Sequence, residues 1–149
     1  MQPPLAAAAR SIRMRVMADR LLGSFVWCEL MTADSGAAQS FYNKVVGWKA
    51  VPFAPDSSYS VFNTASGVGV AGVMKMPDNA SHPPNWMMYV GSPNVDDTAM
   101  RVAQLGGRVV RQPEDIPNAG RFAVVQDPHG AKFGIYQTAP GRPGKSDEP

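Results

Sequence analysis

The chain has 149 residues, 44% hydrophobic and 17% charged, a composition that suits one globular domain and excludes a disordered protein. Its net charge of +2 is unevenly spread: residues 1–23 set four arginines against Asp19, the last ten residues balance, and the slightly acidic body between them argues against a nucleic-acid surface. The lone cysteine, Cys28, excludes an intrachain disulfide and a cysteine-based metal cluster and suits a reducing cytoplasm, while no apolar run approaches the ~20 residues of a membrane span.

Residues 1–23 read as a flexible basic extension without the pattern of a secretion signal, or as a stretch upstream of a natural start at Met14 or Met17. Phe25 to Met31 is rich in β-formers and reads as a strand. Asp34 and Ser35 then offer caps to a helix over 36–46, whose Ala38, Phe41, Tyr42 and Val45 make one apolar stripe suited to packing on a sheet. Gly47 ends that helix as a left-handed cap. Strands follow over 48–53, 59–63 and 68–76, separated by the turn at 54–58 and the break at Ser66-Gly67. Residues 77–85, with Pro83-Pro84, form a linker.

The order then repeats. A strand over 86–90 leads to a helix over 95–105 capped by Asn94, then to strands near 108–111, 121–126 and 132–137, with Asp127-Pro128-His129-Gly130 turning between the last two. Residues 139–149 read as a disordered tail. Trp27 to Trp86 is 59 positions, and so is Gly47 to Gly106. A fixed offset between similar units signals an internal duplication. The pattern is β-α-β-β-β twice: an α+β fold of two modules, 24–76 and 86–138, related by pseudo-twofold symmetry, with cupped mixed β-sheets and helices outside.

These residues resemble the vicinal oxygen chelate superfamily, which includes glyoxalase I, extradiol dioxygenases and bleomycin-resistance proteins. The resemblance covers about residues 24–138. In the first half it rests on Trp27-Cys28-Glu29-Leu30, Asp34, Phe41-Tyr42 and Gly47-Trp48. In the second it rests on Trp86-Met87-Met88-Tyr89, Leu105-Gly106-Gly107, Gly120-Arg121-Phe122 and the run from Asp127 to Phe133. It implies a glyoxalase/bleomycin-resistance fold with His, Glu or Gln metal donors on the first and last strands of each half, where a divalent ion holds a substrate by two neighbouring oxygens.

Counted from the helix caps and the Asp-Pro-x-Gly turn, the family's donor positions fall here on Trp27, Trp86, Gly134, and Ala71 or Gly72. None offers a lone pair to a metal. The expectation is therefore no metal site and no cofactor, with His82 and His129 solvent-facing in loops. Glu29 alternates onto the face of Trp27, where it reads as a ligand anchor or general base, or as a structural carboxylate tied to backbone amides or to an arginine such as Arg121. Tyr136 shares the face of Gly134 and reads as a second acid–base group or as a core aromatic. Trp27, Glu29, Met74, Trp86, Met88, Gly134 and Tyr136 are the expected ligand-binding set, with the two indoles sandwiching a flat molecule, unless these side chains simply fill the interior.

Three functions compete on this reading. The first is a metal-independent binder of a small hydrophobic or aromatic molecule. The second is a metal-dependent or acid–base enzyme, of lyase, isomerase or dioxygenase type, using Glu29. The third is an association module with a filled pocket. A twofold homodimer, with no nucleic-acid or membrane partner, is expected throughout.

Overall fold

The computed structural model describes residues 22–53, 58–117 and 119–139. The chain runs β1 (Phe25–Thr32), α1 (Ser35–Val46), β2 (Lys49–Pro52), β3 (Tyr59–Asn63), β4 (Gly69–Lys75), β5 (Asn85–Gly91), α2 (Val95–Gln104), β6 (Arg108–Ile116), β7 (Gly120–Gln126) and β8 (Lys132–Thr138). Local chemistry explains the boundaries. The Asp34 carboxylate accepts the Ala37 N–H at 2.9 Å, and the Asn94 side chain accepts the Asp97 N–H at 3.0 Å, each satisfying a donor that a helix start leaves open. Gly47 closes α1 with φ of 75°, a conformation that a side chain would resist.

The chain divides into two compact units, Trp27–Met88 and the remainder. In the first, the strand order is β2-β3-β4-β1, with β1 parallel to β4 and the other pairs antiparallel. In the second it is β5-β8-β7-β6, with β5 parallel to β8 and the rest antiparallel. The repeated pattern read from the sequence is thus one strand plan used twice.

Each unit has its own core on the helix side of its sheet. Leu30, Phe62, Ala71 and Val73 pack with Ala38 and Tyr42 of α1 and with Trp48. Ala123, Val125 and Ile135 pack with Val95, Ala99 and Val102. The α1 stripe is only half used. Ala38 and Tyr42 meet the core, whereas Phe41 and Val45 are 57% and 60% exposed, because the neighbouring positions of a helix pointing at one sheet diverge past its rim.

Strand β6 is longer than the sequence suggests. It continues past Arg111 to Ile116 and includes Pro113. Among the described residues it pairs only with β7, and its register slips between Val109 and Arg111 and again between Arg111 and Glu114. A proline's missing N–H is tolerated at such a bulged outer strand.

Up to residue 21 the expected extension lies outside the described residues, as does the expected tail from 140. Leu22 and Gly23 are tied down rather than loose: Leu22 bridges Gly91, and the Gly23 N–H donates to the Gly91 carbonyl at 2.9 Å. Among the described residues no helix is long and apolar enough to cross a membrane.

Candidate functional site

Strand alternation sorts each unit's residues onto two faces. In the first unit Leu30, Val73 and Phe62 turn to α1, so Trp27, Glu29, Tyr59, Val61, Gly72 and Met74 turn away from it. The register agrees with this grouping, pairing Glu29 with Gly72 in β4 and Gly72 with Val61 in β3. On that face the Trp27 indole N–H donates to the Tyr59 hydroxyl at 3.0 Å. The Tyr59 phenol end lies where a Cβ on residue 72 would stand, so Gly72 leaves room that the ring occupies. Phe53 meets Tyr59 edge-on, with centroids 6.1 Å apart. Trp27, Glu29, Tyr59 and Met74 are all half-buried and reachable from solvent.

Trp86 lies on the other side. Its indole N–H donates to the Tyr42 hydroxyl at 3.3 Å, and its ring meets Tyr42 and Trp48 edge-on, both of which pack on the α1-side core. Met88 alternates with it and is also exposed. The expected sandwich of Trp27 and Trp86 is therefore corrected. Glu29 pairs with Gly72 and Tyr89 pairs with Gly134 in the matching parallel ladders, so β1 and β5 positions correspond at an offset of 60, as do the caps Asp34 and Asn94. The counterpart of Trp27 is buried Met87.

In the second unit Gly134 and Tyr136 turn away from α2 together with Tyr89 and Phe122. The Tyr89 ring occupies the space that a Cβ on residue 134 would need, repeating the relation of Tyr59 to Gly72. Tyr89 and Phe122 meet edge-on at 6.4 Å, and the Arg111 guanidinium lies 4.8 Å above the Phe122 ring while pairing with Glu114. Tyr136 donates its hydroxyl hydrogen to the Ala119 carbonyl at 2.9 Å, and burial pushes its pKa up. A phenol so engaged is a structural tie and a poor proton carrier near neutral pH.

Arg121, one expected partner of Glu29, is taken up by two other carboxylates. It forks onto both carboxylate oxygens of Asp96 at 2.8 and 3.0 Å and onto Asp115 at 3.0 Å, tying the start of α2 to the sheet. Its hydrogen bonds hold the Asp96 carboxyl below the usual range. Among the described residues no three His, Cys, Asp or Glu side chains gather as metal ligands. His129 is exposed, and His82 is half-buried, with Nδ1 3.0 Å from the Pro83 carbonyl.

Sequence reasoning missed Tyr59, Phe53, Tyr89 and Phe122. The available signal was the glycines: a strand glycine at a position facing the site leaves a void that a large neighbour must fill.

Residues 24–135 match the family model described as the Glyoxalase/Bleomycin resistance protein/Dioxygenase superfamily. CFP32 of Mycobacterium tuberculosis, whose name assigns it provisionally to the glyoxylases, is 38% identical over 120 residues, covering 79% of this chain and 45% of that protein. The anthracycline biosynthesis protein DnrV of Streptomyces peucetius is 32% identical over 125 residues, covering 81% of this chain and 44% of that protein. The chain thus spans less than half the length of these relatives. A single-substitution variant of the methylmalonyl-CoA epimerase of Streptomyces coelicolor superposes with a TM-score of 0.57 at 15% identity, over 79% of this chain and 99% of the other.

Proposed function

Because the chain belongs to the glyoxalase/bleomycin-resistance/dioxygenase superfamily, we propose that it uses the family fold to bind a small, flat, hydrophobic or aromatic molecule without the family's metal ion. The observation that carries this reading is the occupancy of the donor positions. Trp27 and Met87 stand where first-strand donors belong, and Gly72 and Gly134 stand where last-strand donors belong, each glycine's space taken by a tyrosine ring. These residues do not fit a divalent ion, which needs several oxygen, nitrogen or thiolate lone pairs converging at about 2 Å.

What replaces them suits apolar surfaces. Trp27, Phe53 and Tyr59 offer ring faces and edges, and Met74 adds an adaptable thioether beside them. The kinship with DnrV, named for anthracycline biosynthesis, supports a fused-ring ligand. Binding, on this reading, is stacking and burial of an aromatic plane on the Trp27–Tyr59 face.

Calorimetric titration of chelator-treated protein with anthracene-2-sulfonate tests the proposal. Saturable binding is expected, weakened about tenfold or more by Trp27→Ala and little changed by Trp86→Ala, which sits on the α1 side. Binding that appears only after a divalent metal is added would overturn it.

A second reading has one specific support. Glu29 stands in register with Gly72, beside the Trp27–Tyr59 pair, where a carboxylate could act as general base. It requires a turnover that Glu29→Gln abolishes while ligand affinity survives.

A further inference from the structure

We propose that the second unit carries a binding site of its own for planar aromatic carboxylates, in which the Arg111 guanidinium takes the carboxylate while Phe122 and Val124 carry the ring. Every residue of this site belongs to the unit that lacks Trp27 and Tyr59, so it stands or falls separately from the reading above.

Strand β6 turns Arg111 the unexpected way. Strand residues two apart share a face, so Arg111 should follow Val109 toward α2, where Val109 packs on the core. The ladder forbids this. Val109 pairs with Val125, and Arg111 pairs with the adjacent β7 residue, Val124, so β6 holds one residue more than its partner here. Directly paired residues share a face, and Val124 alternates with Ala123 and Val125, which both pack with α2. Arg111 therefore stands on the face away from the helix. A second irregularity sets three steps from Arg111 to Glu114 against two from Val124 to Phe122, and it brings Glu114 to that same face. A bulge gives up ladder hydrogen bonds and re-aims a side chain, and bulges gather beside functional sites for that reason. Two in succession here bring a cation and its carboxylate partner to one aromatic ring.

The arrangement steadies the cation and leaves most of its donors open. Its carbon centre lies 4.8 Å from the Phe122 centroid, and Glu114 engages it at Nη2. Among the described residues the guanidinium meets no acceptor besides Glu114. A guanidinium has five N–H donors, so one edge with two parallel donors is left, the geometry that suits a carboxylate. The Arg111 side chain is 57% exposed and within reach of solvent, and Phe122 and Val124 beside it are half-buried. An exposed guanidinium alone holds simple anions weakly, because water competes for its donors. The adjoining ring and valine add burial that only an anion with an apolar plane can use. The α2 core lies on the other face of the sheet, so the site takes nothing from that packing.

The test titrates the protein by calorimetry with 2-naphthoate and with its neutral analogue 2-naphthamide. The wild type is expected to prefer naphthoate by about tenfold, the scale of one charge-assisted hydrogen-bonded contact. Arg111→Gln should abolish that preference by weakening naphthoate alone. Glu114→Gln keeps a polar partner for Arg111 but removes the competing negative charge, so it should tighten naphthoate by about threefold. The two substitutions thus move affinity in opposite directions, which a merely structural ion pair would not do. Circular dichroism establishes that each variant is folded, and Glu114→Gln carries the test if Arg111→Gln is not. Failure of naphthoate to bind, equal binding of the two probes, or a preference that survives Arg111→Gln would overturn the proposal. So would a naphthoate affinity that Glu114→Gln leaves unchanged or weakens.

Discussion

The two units share a strand plan and differ in what holds it. In the first, rings do the packing: Tyr42, Trp48 and Phe62 cluster with centroids 5.4 to 5.8 Å apart, and Trp86 closes over them. Its helix buries no residue fully. In the second, aliphatic side chains fill the core, and α2 buries Val95 and Ala99. That helix is also tethered at its start, where the Gln137 side chain accepts the Val95 N–H at 2.9 Å, Ser92 meets Thr98 at 2.9 Å and Arg121 grips Asp96. The second unit therefore carries redundant ties, whereas the first presents half-buried aromatic and polar groups to solvent. On the proposed binding reading, ligand chemistry and maximal packing compete for the same positions, and a duplicated fold lets one copy favour each.

Cores should respond most strongly to being broken. Phe62 is fully buried, and Phe62→Ala should cost about 3–5 kcal/mol by urea unfolding, whereas Phe41→Ala, on the exposed edge of α1, should cost less than about 1 kcal/mol. Comparable losses from the two would mean that the α1 stripe is covered in solution.

The paired glycines sharpen the contrast at intermediate scale. At position 134 a Cβ would meet the ring of Tyr89, which is buried at 8% exposure. At position 72 it would meet the hydroxyl end of the half-buried Tyr59, which can swing outward. Gly134→Ala should therefore destabilise by about 1–3 kcal/mol, and Gly72→Ala by less, while displacing Tyr59 from Trp27. Thermal unfolding would rank them, and a reversed order would refute this account of the two tyrosines.

The smallest effect is electrostatic. Hydrogen bonds from Arg121 lower the Asp96 pKa, so this pair contributes stability above the ordinary carboxylate pKa near 4 and loses it as pH falls through the depressed value. Arg121→Met should raise the pH of the acid-unfolding midpoint slightly, and less so in high salt, because these groups are exposed. An unchanged midpoint at low salt would show that α2 is held by Gln137 and the core alone.

Much of the fold was legible before any coordinates. Asp34, Gly47 and Asn94 announce helix ends because capping is chemistry between near neighbours, and the repeated β-α-β-β-β order follows from periodicity. The family followed from the ordered markers in both halves, and alternation was enough to group Glu29 with Trp27 and Tyr136 with Gly134. The partners of these residues were not legible. Tyr59 lies 32 positions from Trp27, and nothing local connects them.

The two tryptophans mark the division most clearly. Their spacing of 59 suggests equivalence, but the ladders match β1 and β5 positions 60 apart. In a strand one residue is the whole distance between faces, so that single step sends Trp86 to Tyr42 on the α1 side and leaves Trp27 on the face with Tyr59. Sequence determined which residues form strands and helices, since that depends on neighbours along the chain. Tertiary structure decided which side chains share a face, since that depends on the register between strands that meet only after folding.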